Sequence, residues 1–289
     1  MTDDTAANSL NGINGINDRP SALRKPWVAA LLSLTATGVG QIYNGQWRKG
    51  LTFFLIETVL GVTMVFGLGS FAGLVGTGAG LLAFNVAVAA EAYGTARRVR
   101  CAPTRFNRWW VYLLAVGLSL GAGAVVEGVI KARFYQNFKV PSVSMTPTLR
   151  VGDRFMARRL DPAAVVARGE VVVFVDQASG RYFVKRVVGL PGETVRMQAR
   201  RVYVDGVRLD EPYVRPTEGG PKPERDDYPP TTLDAGSYFL LGDNRDNSYD
   251  SRFIGSVARE AIVARALYVY FPGDVGARSW TDRFGQAVR

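Results

Sequence analysis

Three apolar stretches, at about 50–70, 71–93 and 109–130, constrain this chain more than any other feature. Each is near the ~20 residues that a helix needs to cross the hydrocarbon core of a bilayer. All three lie before residue 131, so a membrane half precedes a water-soluble half. Each contains one acid, Glu57, Glu91 or Glu127, the last two near span ends. Trp109, Trp110 and Tyr112 form an interfacial aromatic anchor, and Gly69-Ser70 makes a short uncharged turn between the first two spans. Small-residue-rich stretches such as Gly61–Gly80 serve helix packing.

Charge orients these spans. The formal net charge is +10, which suits either a nucleic-acid binder or a membrane protein with basic cytoplasmic loops. Arg97, Arg98, Arg100, Arg105 and Arg108 fall between the second and third spans, and Arg48 and Lys49 precede the first. The positive-inside rule places both groups in the cytoplasm, residues 94–108 included, and residues 138–289 outside. The remaining basic residues are interspersed with acids and form no aromatic-plus-basic stripe, so nucleic acid is not expected as a partner.

The segment Trp27–Tyr43 is apolar but interrupted by Thr35, Thr37, Gly38, Gly40 and Gln41, with basic residues on both flanks. It either dips into the membrane or lies along it with both flanks inside, or it makes a fourth full span with the tail outside. Residues 1–26 repeat Asn-Gly-Ile from Asn11 to Ile16, show no apolar period and read as a disordered tail. They lack the apolar core and small-residue cleavage site of a removable signal peptide. Asn44-Gly45 before Arg48-Lys49-Gly50 resembles an extension of some multi-span membrane proteins.

The chain has no histidine and one cysteine, Cys101, in the arginine-rich loop. That excludes an intrachain disulfide, the usual zinc ligand sets, the Ser–His–Asp triad and the Cys–His dyad. Acid–base chemistry is left to Lys, Tyr, Asp, Glu or a terminus, with no metal or organic cofactor expected.

From about Phe138 short β-type runs alternate with turn signals. Glu170–Val175, Arg181–Val188, Thr194–Met197, Arg201–Val204, Ser237–Leu241 and Ile262–Phe271 read as strands. Asp205-Gly206 is a hairpin-turn dipeptide, Pro191-Gly192 marks another tight turn, and the Pro/Gly-rich stretch 214–232 reads as an exposed insertion. The expected organisation is a tail (1–26), a membrane region (27–131) of three or four hydrophobic segments, and a mainly antiparallel β domain (132–289) with little helix.

Three segments carry candidate chemistry. Val140-Pro141-Ser142-Val143-Ser144-Met145-Thr146-Pro147-Thr148-Leu149 is by composition a turn, but it lies ~10 residues past the membrane exit. Lys185 shares a strand face with Phe183 and Val187, and an amine held between apolar neighbours loses its charged form more readily. A lysine snorkelling from an amphipathic strand is the bland alternative. Gly242-Asp243-Asn244-Arg245-Asp246-Asn247-Ser248-Tyr249-Asp250-Ser251-Arg252 lacks the ligand spacing, central glycine and terminal glutamate of an EF-hand. It reads instead as a turn held by side-chain-to-backbone bonds and internal Asp–Arg pairs.

Together these segments resemble bacterial type I signal peptidases, serine peptidases with a Ser–Lys dyad. The matching pieces are Pro141–Leu149 with Val151-Gly152-Asp153, Arg168-Gly169-Glu170-Val171-Val172, Lys185–Glu193, and Gly242–Arg252 followed by Phe253-Ile254-Gly255. They occur in the family's order and cover most of residues 138–271. The resemblance implies a membrane-bound endopeptidase that removes signal peptides after small residues of the Ala-x-Ala type. It implies Ser144 as nucleophile, Lys185 as general base, Ser142 as an oxyanion donor beside the Ser144 N–H, and Ser248 as the hydroxyl that orients the lysine. Asp243, Arg245, Asp250 and Arg252 match the supporting network; Phe138, Val140, Pro141, Met145, Leu149, Phe183 and Val184 match the substrate-binding walls. Implied partners are preprotein signal peptides, membrane lipid and the secretion translocon, with the β domain on the extracytoplasmic side of the bacterial plasma membrane. Val143 stands where the family often has glycine, and a β-branched residue is awkward there if the position needs unusual backbone angles.

Two readings compete. A self-cleaving Ser–Lys peptidase of the repressor type shares the chemistry but is cytosolic, which the spans oppose. An inactive membrane scaffold that binds exported chains would not need Ser144, Lys185 and Ser248 together.

Overall fold

The computed structural model describes residues 24–98, 108–177, 179–214, 220, 222–273 and 281–289. The expected tail up to residue 23, and Arg100, Cys101 and Arg105 of the arginine cluster, lie outside the described residues. Two compact units result, one of residues up to 63 and 78–126, the other of 64–77 and 127–289. The second unit thus takes in the turn between the first two apolar helices as well as the β domain.

Five helices precede the strands: α1 (Pro26–Thr35), α2 (Val39–Tyr43), α3 (Trp47–Gly67), α4 (Phe71–Arg98) and α5 (Trp109–Arg133). α3, α4 and α5 are long and apolar enough to cross a membrane. They coincide with the three stretches read from sequence. The Trp27–Tyr43 segment is not one helix. It breaks at Gly38, whose φ of 89° is left-handed and whose Cα faces the Gly50 carbonyl so closely that a Cβ would lie 2.1 Å from that oxygen. The 10 residues of α1 rise only ~15 Å, half of a ~30 Å hydrocarbon core.

Polar side chains on this broken pair are buried against α4. The Gln41 amide donates to the Val88 carbonyl and to Glu91, each at 2.9 Å, and the Asn44 amide donates to the Ala92 carbonyl at 2.8 Å. The Thr37 hydroxyl donates to Asn85 at 2.6 Å, and Asn85 donates in turn to Glu57 at 2.9 Å. Lys49 pairs with Glu91, and Lys131 with Glu127. Each in-span acid therefore has a partner, which removes the main cost of placing it among apolar helices.

The β domain contains two antiparallel sheets. Strands β1 (Tyr135–Lys139), β2 (Arg154–Arg159), β3 (Val171–Val175), β4 (Tyr182–Gly189), β5 (Thr194–Gln198), β6 (Arg201–Val204), β7 (Val207–Arg208), β8 (Tyr228–Thr232), β9 (Ser237–Leu241), β10 (Val257–Ala258) and β11 (Ile262–Phe271) follow in chain order. The larger sheet has the order β1-β2-β11-β3-β4-β9-β10 and the smaller β7-β6-β5-β8. Asp205 and Gly206, with φ of 49° and 80°, turn β6 into β7 as a two-residue hairpin requires.

The stretch 214–232 is not wholly an exposed insertion, because its last residues, Tyr228–Thr232, pair with β5. Pro229 and Pro230 disguise that strand, and its place at the edge of the smaller sheet explains why they are tolerated. β1 and β2 also lie outside the strands expected from sequence. β2 alternates buried Phe155 and Ala157 with charged Arg154 and Arg158, too short an apolar signal to stand out.

Candidate active site

Ser144 sits in the loop between β1 and β2, whose neck is closed by two backbone bonds of 2.8 Å, Val140 N–H to the Asp153 carbonyl and Gly152 N–H to the Val140 carbonyl. Asn244 grips the loop from the other side: its N–H donates to the Ser144 carbonyl at 3.1 Å and its amide to the Val143 carbonyl at 3.2 Å. Lys185 comes from the middle of β4, opposite Val172 of β3. Its amine and the Ser144 hydroxyl lie 2.9 Å apart, both groups buried. The Ser142 hydroxyl, on an exposed residue, is 3.2 Å from that of Ser144.

Lys185 is 2% exposed. Its pKa is lowered to about 8, first because burial penalises the charged form; Asp250 opposes this lowering, Arg252 adds to it and Asp243 opposes it. Phe183 lies on the same face, the amine 5.8 Å from its ring centroid. When the amine is neutral its lone pair accepts the Ser144 O–H, the geometry that a general base needs.

The supporting network is assembled differently from the internal pairs expected of Gly242–Arg252. Asp250 and Arg252 do pair within the segment, at 2.8 Å. Asp243 instead accepts from Nε and Nη2 of Arg186, each at 2.7 Å, and from the Thr148 hydroxyl. Arg245 pairs with Glu211 and donates to the Gly242 carbonyl at 3.0 Å, while the Gly242 N–H donates to Asp250 at 3.0 Å. Tyr213 covers Arg186, its ring centroid 3.9 Å from the guanidinium carbon. Burial beside the acidic Glu211 raises the Tyr213 pKa above its ordinary value.

The sequence reading gave no role to Arg186, Thr148, Glu211 or Tyr213. Arg186 had a visible signal, since it adjoins Lys185 on a strand that is otherwise apolar toward its end.

Ser248 is brought to the site but not into the expected bond. Among the described residues its buried hydroxyl has no hydrogen-bond partner, so it does not hold Lys185 in this geometry. It lies against Gly242, where a Cβ would come within 2.2 Å of the Ser248 hydroxyl and 2.5 Å of the Ser144 carbonyl oxygen.

Five of the expected wall residues meet in one apolar cluster: buried Val140, Met145 and Leu149, with Phe138 and Val184 packed against them. Phe183 belongs to a second cluster with Phe174 and Val187, because side chains alternate along β4 and put it on the other face from Val184. Pro141 is exposed. Val143 raises no backbone difficulty: it is not among the residues with positive φ, and its side chain is 47% exposed.

Residues 110–271 match the family model described as signal peptidase, peptidase S26. A probable signal peptidase I-2 of Synechocystis sp. is 39% identical over 177 residues, which cover 57% of this chain and 75% of the relative. A signal peptidase I of Leptolyngbya laminosa is 36% identical over 171 residues, covering 55% and 76% of the two chains. Signal peptidase I T of Bacillus subtilis is 34% identical over 164 residues, covering 54% and 84%.

Proposed function

Because the chain belongs to the signal peptidase family of S26 serine peptidases, whose activity is removal of signal peptides, we propose that Ser144 and Lys185 perform the cleavage. The observation that carries this reading is the 2.9 Å contact between a buried amine and a buried hydroxyl in a chain without histidine. Neutral Lys185 takes the Ser144 proton as the oxygen attacks the scissile carbonyl. The tetrahedral oxyanion is met by the Ser144 N–H and the Ser142 hydroxyl, and a donor of this kind is worth ~3–4 kcal/mol of barrier. Protonated Lys185 then hands its proton to the leaving amine, and a water deprotonated by the same lysine releases the acyl-enzyme.

The substrate is the signal peptide of a preprotein cut after small residues of the Ala-x-Ala type, admitted by the cluster of Phe138, Val140, Met145, Leu149 and Val184. Ser248 acts as a second-line hydroxyl beside Gly242, close to the dyad but not bonded to it. The enzyme is a multi-pass protein of the bacterial plasma membrane with its β domain outside, in contact with lipid and near the translocon. Two observations support this placement. The arginine-rich 94–108 stretch resists translocation. The α3–α4 turn belongs to the same unit as the β domain, where the Tyr268 hydroxyl donates to the Leu68 carbonyl at 2.9 Å.

Purified enzyme incubated with one preprotein should release a mature chain whose new N-terminus follows an Ala-x-Ala-type sequence, and Ser144→Ala should release none. Cleavage by Ser144→Ala at the normal rate would remove Ser144 from the mechanism.

A further inference from the structure

The C-terminal residues lie beyond the stretch matched by the family model, which ends at 271, yet they are built into the nucleophile loop. Thr281–Arg283 forms a helical turn and the chain then returns along β11. The Gly285 N–H donates to the Val269 carbonyl at 2.8 Å, the Val269 N–H to the Gln286 carbonyl at 2.9 Å, and the Val288 N–H to the Leu267 carbonyl at 2.9 Å. Val288 is buried in the cluster of Val140, Met145 and Leu149, residues that flank Ser144 on both sides.

Arg283 completes the attachment. It is 5% exposed, and its two arms meet the fully buried carboxylate of Asp153 at 2.8 and 2.6 Å. Asp153 closes the neck of the Ser144 loop, and its carboxylate also accepts the N–H groups of Arg150 at 2.8 Å and Gly273 at 2.9 Å. Arg283 reaches toward the Thr148 carbonyl at 3.5 Å, and the Thr148 hydroxyl binds Asp243, whose neighbour Asn244 holds the Ser144 carbonyl. A fork-shaped cation thus fixes the loop end, while the network around Asp243 fixes its other side.

We infer that Arg283 is a positioning residue for peptide cleavage: through Asp153 it sets the placement of the loop bearing Ser144, and the segment Thr281–Arg289 is a strap on which that placement depends. The inference rests on Ser144 being the nucleophile. Its effect falls on the chemical step, because a small displacement of a reacting atom costs rate even when the substrate is still held.

The test uses the full-length enzyme in detergent with one preprotein, at a temperature where circular dichroism shows every variant folded. Arg283→Gln should lower kcat by about tenfold to a hundredfold with KM within about twofold. Arg283→Lys, which keeps the charge but not the fork, should fall between it and the parent. Arg283→Gln leaves a buried carboxylate unpaired, so the double variant with Asp153→Asn is the decisive one. It should regain thermal stability while kcat stays low. A kcat that returns to the parent value together with stability would overturn the inference and leave the pair a fold clasp. Should Arg283→Gln fail to fold, the double variant decides alone. Ser144→Ala in the same assay separates the two readings: an inactive Ser144→Ala beside a fully active double variant sinks only the role of Arg283, whereas an active Ser144→Ala sinks the nucleophile and this inference with it.

Discussion

A lysine amine that ionises at about 8, down from 10.5, costs the fold about 3 kcal/mol at neutral pH, since a tenfold change in proton affinity is worth ~1.4 kcal/mol. The unfolded chain binds this proton more tightly, so the cost is full below pH about 8 and disappears as the pH rises through about 10.5. The same weakened hold on the proton serves catalysis, because it raises the fraction of neutral base at working pH. Lys185→Met should therefore be inactive yet more heat-stable at pH 7, by up to about 3 kcal/mol, and the gain should shrink at pH 10. Thermal melts at both pH values check this; an equal gain at both would mean that the amine is not desolvated in the fold. Lys185→Arg should also be inactive, because arginine keeps its proton. In the parent enzyme kcat/KM should climb with pH, reach half its maximum near pH 8 and level off above that, and a profile flat from pH 5 would count against Lys185 as the base. The motifs pointed to Ser144 and Lys185, and the structure brings the two within 2.9 Å. Glu211 and Arg283 were not legible, because a charge whose partner lies tens of residues away leaves no local signature.

At the scale of elements, β4 and the Gly242–Arg252 turn do most of the assembly: the strand supplies Lys185 and Arg186 on opposite faces, and the turn supplies Asp243, which binds Arg186, and Asp250, whose charge acts on Lys185. Gly242 lets the turn approach the nucleophile loop, with no room for a Cβ between the Ser248 hydroxyl and the Ser144 carbonyl. Gly242→Ala should push Ser144 out of line and lower preprotein cleavage by about tenfold or more with the β domain still folded. Normal turnover in this variant would show that the loop absorbs the displacement. The strands rich in β-branched or aromatic residues, such as Val171–Val175 and Ile262–Phe271, were readable from sequence. The two-proline β8 was not, nor was the break at Gly38, because a tertiary approach to the Gly50 carbonyl decides it and local propensity does not.

For the whole molecule, hydropathy made the three long helices legible, but grouping the α3–α4 turn with the β domain required tertiary contacts. Phe71 packs edge-on against Tyr268 at 6.1 Å between ring centroids, and Tyr268 bonds the Leu68 carbonyl. The proposed topology puts this turn on the β domain's side of the membrane and the arginine-rich stretch on the opposite side. Cys101, the chain's single cysteine, reports on that second side, although it lies outside the described residues. In intact cells a membrane-impermeant thiol reagent should leave Cys101 unlabelled until the membrane is opened. With Cys101→Ser as background, exposed Ser70→Cys in the turn and exposed Ser256→Cys in the β domain should both react without permeabilisation. Labelling at 256 but not at 70 would mean that α3 and α4 do not form a hairpin open to the outside. Labelling of Cys101 in intact cells would reverse the orientation, and a β domain on the cytoplasmic side could not meet signal peptides as they emerge from the membrane.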